Sequence, residues 1–138
     1  MTMPRAADAP KYYRVATQRL ADAELILKVL DRPSAAMYLA GYAVECILKA
    51  LMLALTPPRR QSAVLKSLKT DFGHNLGRLR AAVIQRGGNP PQNVGRELLF
   101  VSSWSPELRY EPGPGDAKEA ERFIAAVRSI VEWADRRM

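Results

Sequence analysis

The stretch Tyr38–Leu55, YLAGYAVECILKALMLAL, constrains the fold of this chain most. It is apolar nearly throughout and carries two charges, Glu45 and Lys49, four residues apart. On a helix that spacing puts both on one face, with the Glu N-terminal, the favourable order. At about 100° per residue, Tyr38, Tyr42, Glu45 and Lys49 fall in a narrow arc. Ala40, Val44, Ile47, Leu48, Leu51 and Leu55 occupy the rest of the circumference. A helix apolar almost all round is buried, and one polar stripe on it lines a cleft or meets a partner. The length is borderline for a bilayer. Two charges near the centre would each cost about 2.5–3.5 kcal/mol on insertion scales, so a buried core helix is the expectation and a membrane span is not.

At 138 residues the chain is long enough for one domain with a real core. Lys and Arg number 21 against 14 Asp and Glu, a net +7. That balance favours anionic partners such as nucleic acid, nucleotide or acidic protein, or else serves solubility. The single cysteine, Cys46, excludes an internal disulfide. It reads as a small buried hydrophobe. With one histidine and no Cys pair there is no metal-ligand spacing, and no cofactor is expected. The opening MTMPRAADAP has no apolar core of a secretory signal, so a cytoplasmic protein is expected.

Residues 1–9 read as a disordered lead-in to a helical domain over 10–138. An amphipathic helix is predicted from Pro10 to about Asp31, with Tyr13, Ala16, Leu20, Ala23, Leu27 and Leu30 inward. Arg32-Pro33 breaks it, and Ser34 is a suitable cap for the central helix. The short link implies antiparallel neighbours. After Thr56-Pro57-Pro58, the basic run Arg59–Thr70 reads as a mobile connection with a helical turn at most. Further helices are expected at about Asn75–Arg86 and Gln92–Trp104. The last follows Asp116, which with Glu119 resembles a capping box. No strand alternation and no repeat is present. The fold class is all-α, an antiparallel bundle of four to five helices.

Three features bear on chemistry. His74 precedes a predicted helix and reads as a cap or packing residue, or as a general acid or base. Arg109 offers a planar fork for phosphate, and Tyr110 and Trp104 offer stacking faces. Alternatively Arg109 forms a structural pair, with Glu45 as its partner. The clustered Arg59-Arg60, Lys66, Lys69 and Arg78-Arg80 form a solvated basic surface, or contact phosphate backbones.

Taken in order, Tyr12-Tyr13, Arg19-Leu20-Ala21-Asp22-Ala23, the run Ala36–Leu51 (AMYLAGYAVECILKAL), His74-Asn75-Leu76, Trp104 and Arg109-Tyr110 resemble the prokaryotic HEPN domain (higher eukaryotes and prokaryotes nucleotide-binding). The resemblance covers about 11–135. It implies an antiparallel helical bundle that dimerises, often encoded beside or fused to a small nucleotidyltransferase, in some pairs as toxin and antitoxin. Many members are metal-independent endoribonucleases that use an Arg and a His separated by four to six residues and brought together across the dimer. Beyond Arg109 those positions hold Pro114, Gly115 and Asp116.

The expected function is therefore a homodimeric module that binds a nucleotide or RNA phosphate, or a nucleotidyltransferase partner, without catalysis. Arg109, Tyr110, Glu45, Lys49, Tyr42 and Tyr38 are its candidate binding residues, and His74 is the candidate for any residual catalysis. The alternatives are a metal-independent ribonuclease toxin with a degenerate site and a purely structural dimerisation module. Glu45 and Lys49 are expected to be buried and to face Arg109 or Tyr110.

Overall fold

The computed structural model describes residues 8–103 and 115–138. Among them, α1 spans Ala9–Leu25, α2 Pro33–Ala54, α3 Pro58–Leu68, α4 Leu76–Gln85, α5 Gln92–Ser102 and α6 Ala117–Arg137. No strand occurs among the described residues, and the chain is all-α as its periodicities predict. Six helices replace the four to five expected, the addition being α3.

α2 is the axis of the bundle. Most of its residues are buried, from Pro33 to Leu53, and α1, α4 and α6 pack around it. It is the one helix among the described residues long and apolar enough to cross a membrane, and most of it is enclosed by protein. α1 runs antiparallel to α2: Lys49 lies over the ring of Tyr12 at one end, and the chain reverses at Asp31-Arg32 at the other. Polar ties fix α6 against both neighbours. The Tyr13 hydroxyl donates to Asp135 at 2.7 Å, Arg128 donates to Glu24 at 2.5 Å, and Arg122 forms a two-pronged contact with Glu97 of α5 at 2.7 and 2.8 Å. The Arg122 guanidinium also stacks 4.3 Å over Phe100.

The helix ends depart from expectation in three places. α1 gives way to a single π turn, Ile26–Leu30, that closes with Asp31 in the left-handed region at φ 49°. Asp tolerates that conformation better than most residues, and Pro33 then forbids further helix. α2 begins at Pro33 itself, with Arg32 in the cap position and no side-chain cap. Proline suits the first helical position because its missing N–H has no partner to lose, so Ser34 is not the cap. The basic run after Pro58 is not a loose connection but a helix. Val64 and Leu68 bury its inner line, and Gln61 ties it to the end of α2 by donating to the carbonyls of Leu53 and Thr56. Asp116 does cap α6, accepting from the amides of Lys118 and Glu119.

Candidate functional site

The polar stripe of α2 changes character along its length. Tyr38 and Tyr42 are about half exposed, at 45% and 42%, while one turn later Glu45 and Lys49 are buried. Their side chains are only 8% and 7% exposed. A buried charge is tolerated only when paired, and the pairing here is close: Lys49 Nζ donates to Glu45 Oε2 at 2.9 Å. Lys49 also sits 5.5 Å from the centroid of Tyr12 on α1, within cation–π range.

His74 completes the group. Its Nδ1 lies 3.3 Å from the same Glu45 Oε2 that accepts from Lys49, and its side chain is 67% exposed. The local backbone explains how it arrives there. α3 ends at Leu68, and the chain re-enters the bundle through a 3-10 turn, Asp71–His74. Gly73 packs so closely on the end of α3 that a Cβ would stand 1.8 Å from the Leu68 carbonyl oxygen. Only glycine permits that approach, and the approach carries His74 to α2. Neither a cap nor a packing role describes His74. The cap of α4 is Asn75, whose side chain accepts from the Arg78 amide at 2.9 Å, and the imidazole is mostly in solvent.

The next turn of α2 extends the polar environment. Cys46 is buried at 1% exposure. Burial first, and the Glu45 carboxylate second, push its thiol up to about 11, with Lys49 opposing. Tyr42 is raised by the adjacent Cys46 and then by burial. Arg19 of α1 works against both shifts, so α1 faces the stripe along this stretch. Cys46 is thus a protonated, unreactive thiol at neutral pH.

These positions define what the group can do. Two nitrogens approach one carboxylate oxygen of Glu45, a buried ammonium that donates to it at 2.9 Å and an exposed imidazole at 3.3 Å. With Nδ1 turned to Glu45, Nε2 is the nitrogen left for an incoming group. Lys49 is enclosed and neutralised, which leaves it out of direct reach of solvent and ties it to Glu45. Among the described residues no cluster of three or more His, Cys, Asp or Glu could hold a metal ion.

Of the six binding residues named from sequence, four lie on this face of α2: Tyr38, Tyr42, Glu45 and Lys49. Arg109 and Tyr110, with Trp104, lie outside the described residues, as does their expected contact with Glu45. The partners found for the buried pair are His74 and Tyr12. Tyr12 carried a signal that sequence reading did not use: it adjoins the inward Tyr13 on α1, at the level where an antiparallel α1 passes Lys49. A cleft of about 470 Å³ also exists, between the π turn and the start of α6. Glu24, Lys28, Asp31, Glu121 and Arg128 surround it above Leu27 and Ile124, and none of the α2 stripe lines it.

Comparison with curated proteins returns no match. Comparison with solved structures returns none either. The chain does match the family model described as HEPN domain, over residues 9–137. With nearly every described residue inside that match, on an all-helical bundle, the protein belongs to the HEPN domain family of nucleotide- and RNA-related helical modules.

Proposed function

We propose that this protein is a homodimeric HEPN module that binds the phosphate of a nucleotide or RNA at His74 without cleaving it. Residues Glu45 and Lys49 position the imidazole from below. The observation that carries the reading is the exposed His74 ring held 3.3 Å from a buried carboxylate that is itself fixed by Lys49. A protonated imidazole so placed donates from Nε2 to a phosphate oxygen, a charge-assisted hydrogen bond. Tyr42, half exposed one turn before Glu45, offers a ring on which a base can stack. Arg109, whose planar fork suits phosphate, is the second candidate phosphate contact in this reading, and Tyr110 follows it in sequence. A small nucleotidyltransferase is the protein partner that accords with the family, and the setting is cytoplasmic.

The dimer is supported by apolar surface that the monomer leaves open. Leu25, Val29 and Leu30 are each at least 60% exposed around the π turn. Sedimentation at micromolar concentration should give the mass of two chains; a persistent monomer contradicts it.

One observation favours a second reading, a metal-independent ribonuclease. An exposed imidazole whose Nδ1 faces a buried carboxylate is also how a general base is oriented. The binding reading is preferred because the positions following Arg109 hold no histidine at the family's spacing. Incubation of the protein with RNA in chelator, beside a titration with adenosine monophosphate, separates the two. Binding without cleavage, weakened by His74→Gln and by Arg109→Ala, is the expected result. Metal-free cleavage lost in His74→Ala would establish the ribonuclease instead.

A further inference from the structure

The charge of the molecule is unevenly placed. Between Pro57 and Pro91 there are seven basic side chains and one acid, Asp71, so this quarter of the chain holds +6 of the net +7. α3 contains no acid, and its Arg59, Ser62, Ala63 and Lys66 are exposed or nearly so. At about 100° per residue these four share one face of the helix. Lys69 follows α3 and Arg78 stands in the first turn of α4, so cations lie on either side of the turn Asp71–His74, whose one acid is Asp71.

Unpaired cations occur elsewhere on the surface, Lys11, Arg14 and Lys28 among them, and what sets this face apart is their concentration on it; two features describe them. First, ion pairs among the described residues join Arg19, Lys49, His74, Arg122 and Arg128 to acids, whereas Arg59, Arg60, Lys66, Lys69 and Arg78 form none. Second, Arg59 and Arg60 occupy the first turn of α3 and Arg78 the first turn of α4, with no acidic residue in either first turn. A helix N-terminus carries partial positive charge, and a cation there is unfavourable by about 0.3–1 kcal/mol. Anions gathered along this face would reverse that cost.

We propose that the exposed face of α3, continued by Lys69 and Arg78 on either side of His74, docks the phosphate backbone of a nucleic-acid strand. Arg59 and Lys66 are seven residues apart, about 10 Å along the axis. That separation places the two cations on different phosphates of one strand. The small Ser62 and Ala63 between them let a backbone lie close. No large apolar side chain is exposed between Pro57 and His74, and a protein partner would need such an anchor at the centre of its interface. Arg80 is not part of the face: it is half-buried, with its Nε out of water and without a hydrogen-bond partner. The inference rests on the phosphate-binding reading and sharpens it, since a strand presents more phosphates than a nucleotide.

The test uses the full chain and a labelled RNA of about 12 nucleotides, within the footprint of single-strand binders, titrated across a salt series. In Arg59→Gln/Lys66→Gln the slope of log K against log salt should fall by about 1.4, two single-strand phosphate contacts, with affinity at low salt down about tenfold. Adenosine monophosphate, too short to reach α3 from His74, should bind as in the parent. An unchanged RNA slope overturns the proposal, and so does polyglutamate of equal length competing as well as RNA. If RNA behaves as expected while adenosine monophosphate fails to bind the parent, the α3 face stands and the His74 site falls. If only the nucleotide binds, the reverse holds.

Discussion

α2 and α3 are joined by Leu55–Pro57 and differ in almost everything else. α2 buries residues all round its circumference, whereas α3 buries only Val64 and Leu68. The charges of α2 are two, opposite, enclosed and paired at 2.9 Å. Those of α3 have one sign, stand in solvent and form no ion pair among the described residues. The contrast separates two uses of charge. In α2 it fixes geometry, because a buried ion without its partner is costly. In α3 it leaves stability almost untouched and is available to something outside the chain. His74 stands where the two regimes meet, bound to the first and facing the second.

Substitutions in α2 should break this comparison hardest. Glu45→Ala leaves Lys49 as an uncompensated buried cation, and the expected loss is about 3–5 kcal/mol in denaturant unfolding. A change within error would mean that the pair is solvated and the contrast false. Gly73→Ala drives a methyl into the backbone of Leu68, and the expected loss is about 1–3 kcal/mol. It should also displace His74, visible as altered imidazole resonances in an NMR spectrum.

Cys46 sharpens the account of the interior. Its thiol is raised from the usual 9.0 to about 11, so the folded state holds the proton more tightly than the unfolded chain. The resulting stability is fully present below the unfolded value and is lost as pH rises through the folded one. Unfolding free energy should therefore decline between about pH 9 and 11, and Cys46→Ala should show a flatter alkaline limb than the parent. Identical limbs in the two proteins would place Cys46 in contact with water. The smallest effect belongs to α3. Lys66→Gln should change stability by less than about 0.5 kcal/mol, and Arg59→Gln, which removes a cation from the first turn of α3, should raise it by about 0.3–1 kcal/mol; a loss in either variant would give these cations a structural partner.

The legible parts of the fold were those governed by local rules. The burial of α2, the four-residue step from Glu45 to Lys49, the break at Arg32-Pro33 and the cap at Asp116 all follow from spacing within one turn or two. α3 was obscured because its apolar line is short, Val64, Leu65 and Leu68, and is set among cations; Pro58 at its first position was the usable signal. The π turn at Ile26–Leu30 was not legible, since its sequence continues the amphipathic pattern of α1 while its apolar side chains go largely unburied. Nor was the meeting of His74 with Glu45. Those residues are far apart in sequence, and their contact depends on a backbone approach at Gly73 that no periodicity encodes.

In the proposed function α2 holds His74 in place and His74 contacts the nucleotide phosphate. Denaturant unfolding of His74→Gln, run in parallel with its titration by adenosine monophosphate, tests it most directly. The imidazole is two-thirds exposed, so stability should change by no more than about 0.5 kcal/mol. Nucleotide affinity should fall about tenfold, one charge-assisted contact. Unchanged affinity together with a loss of stability approaching that of Glu45→Ala would contradict the account, and would make His74 a structural partner of the buried pair.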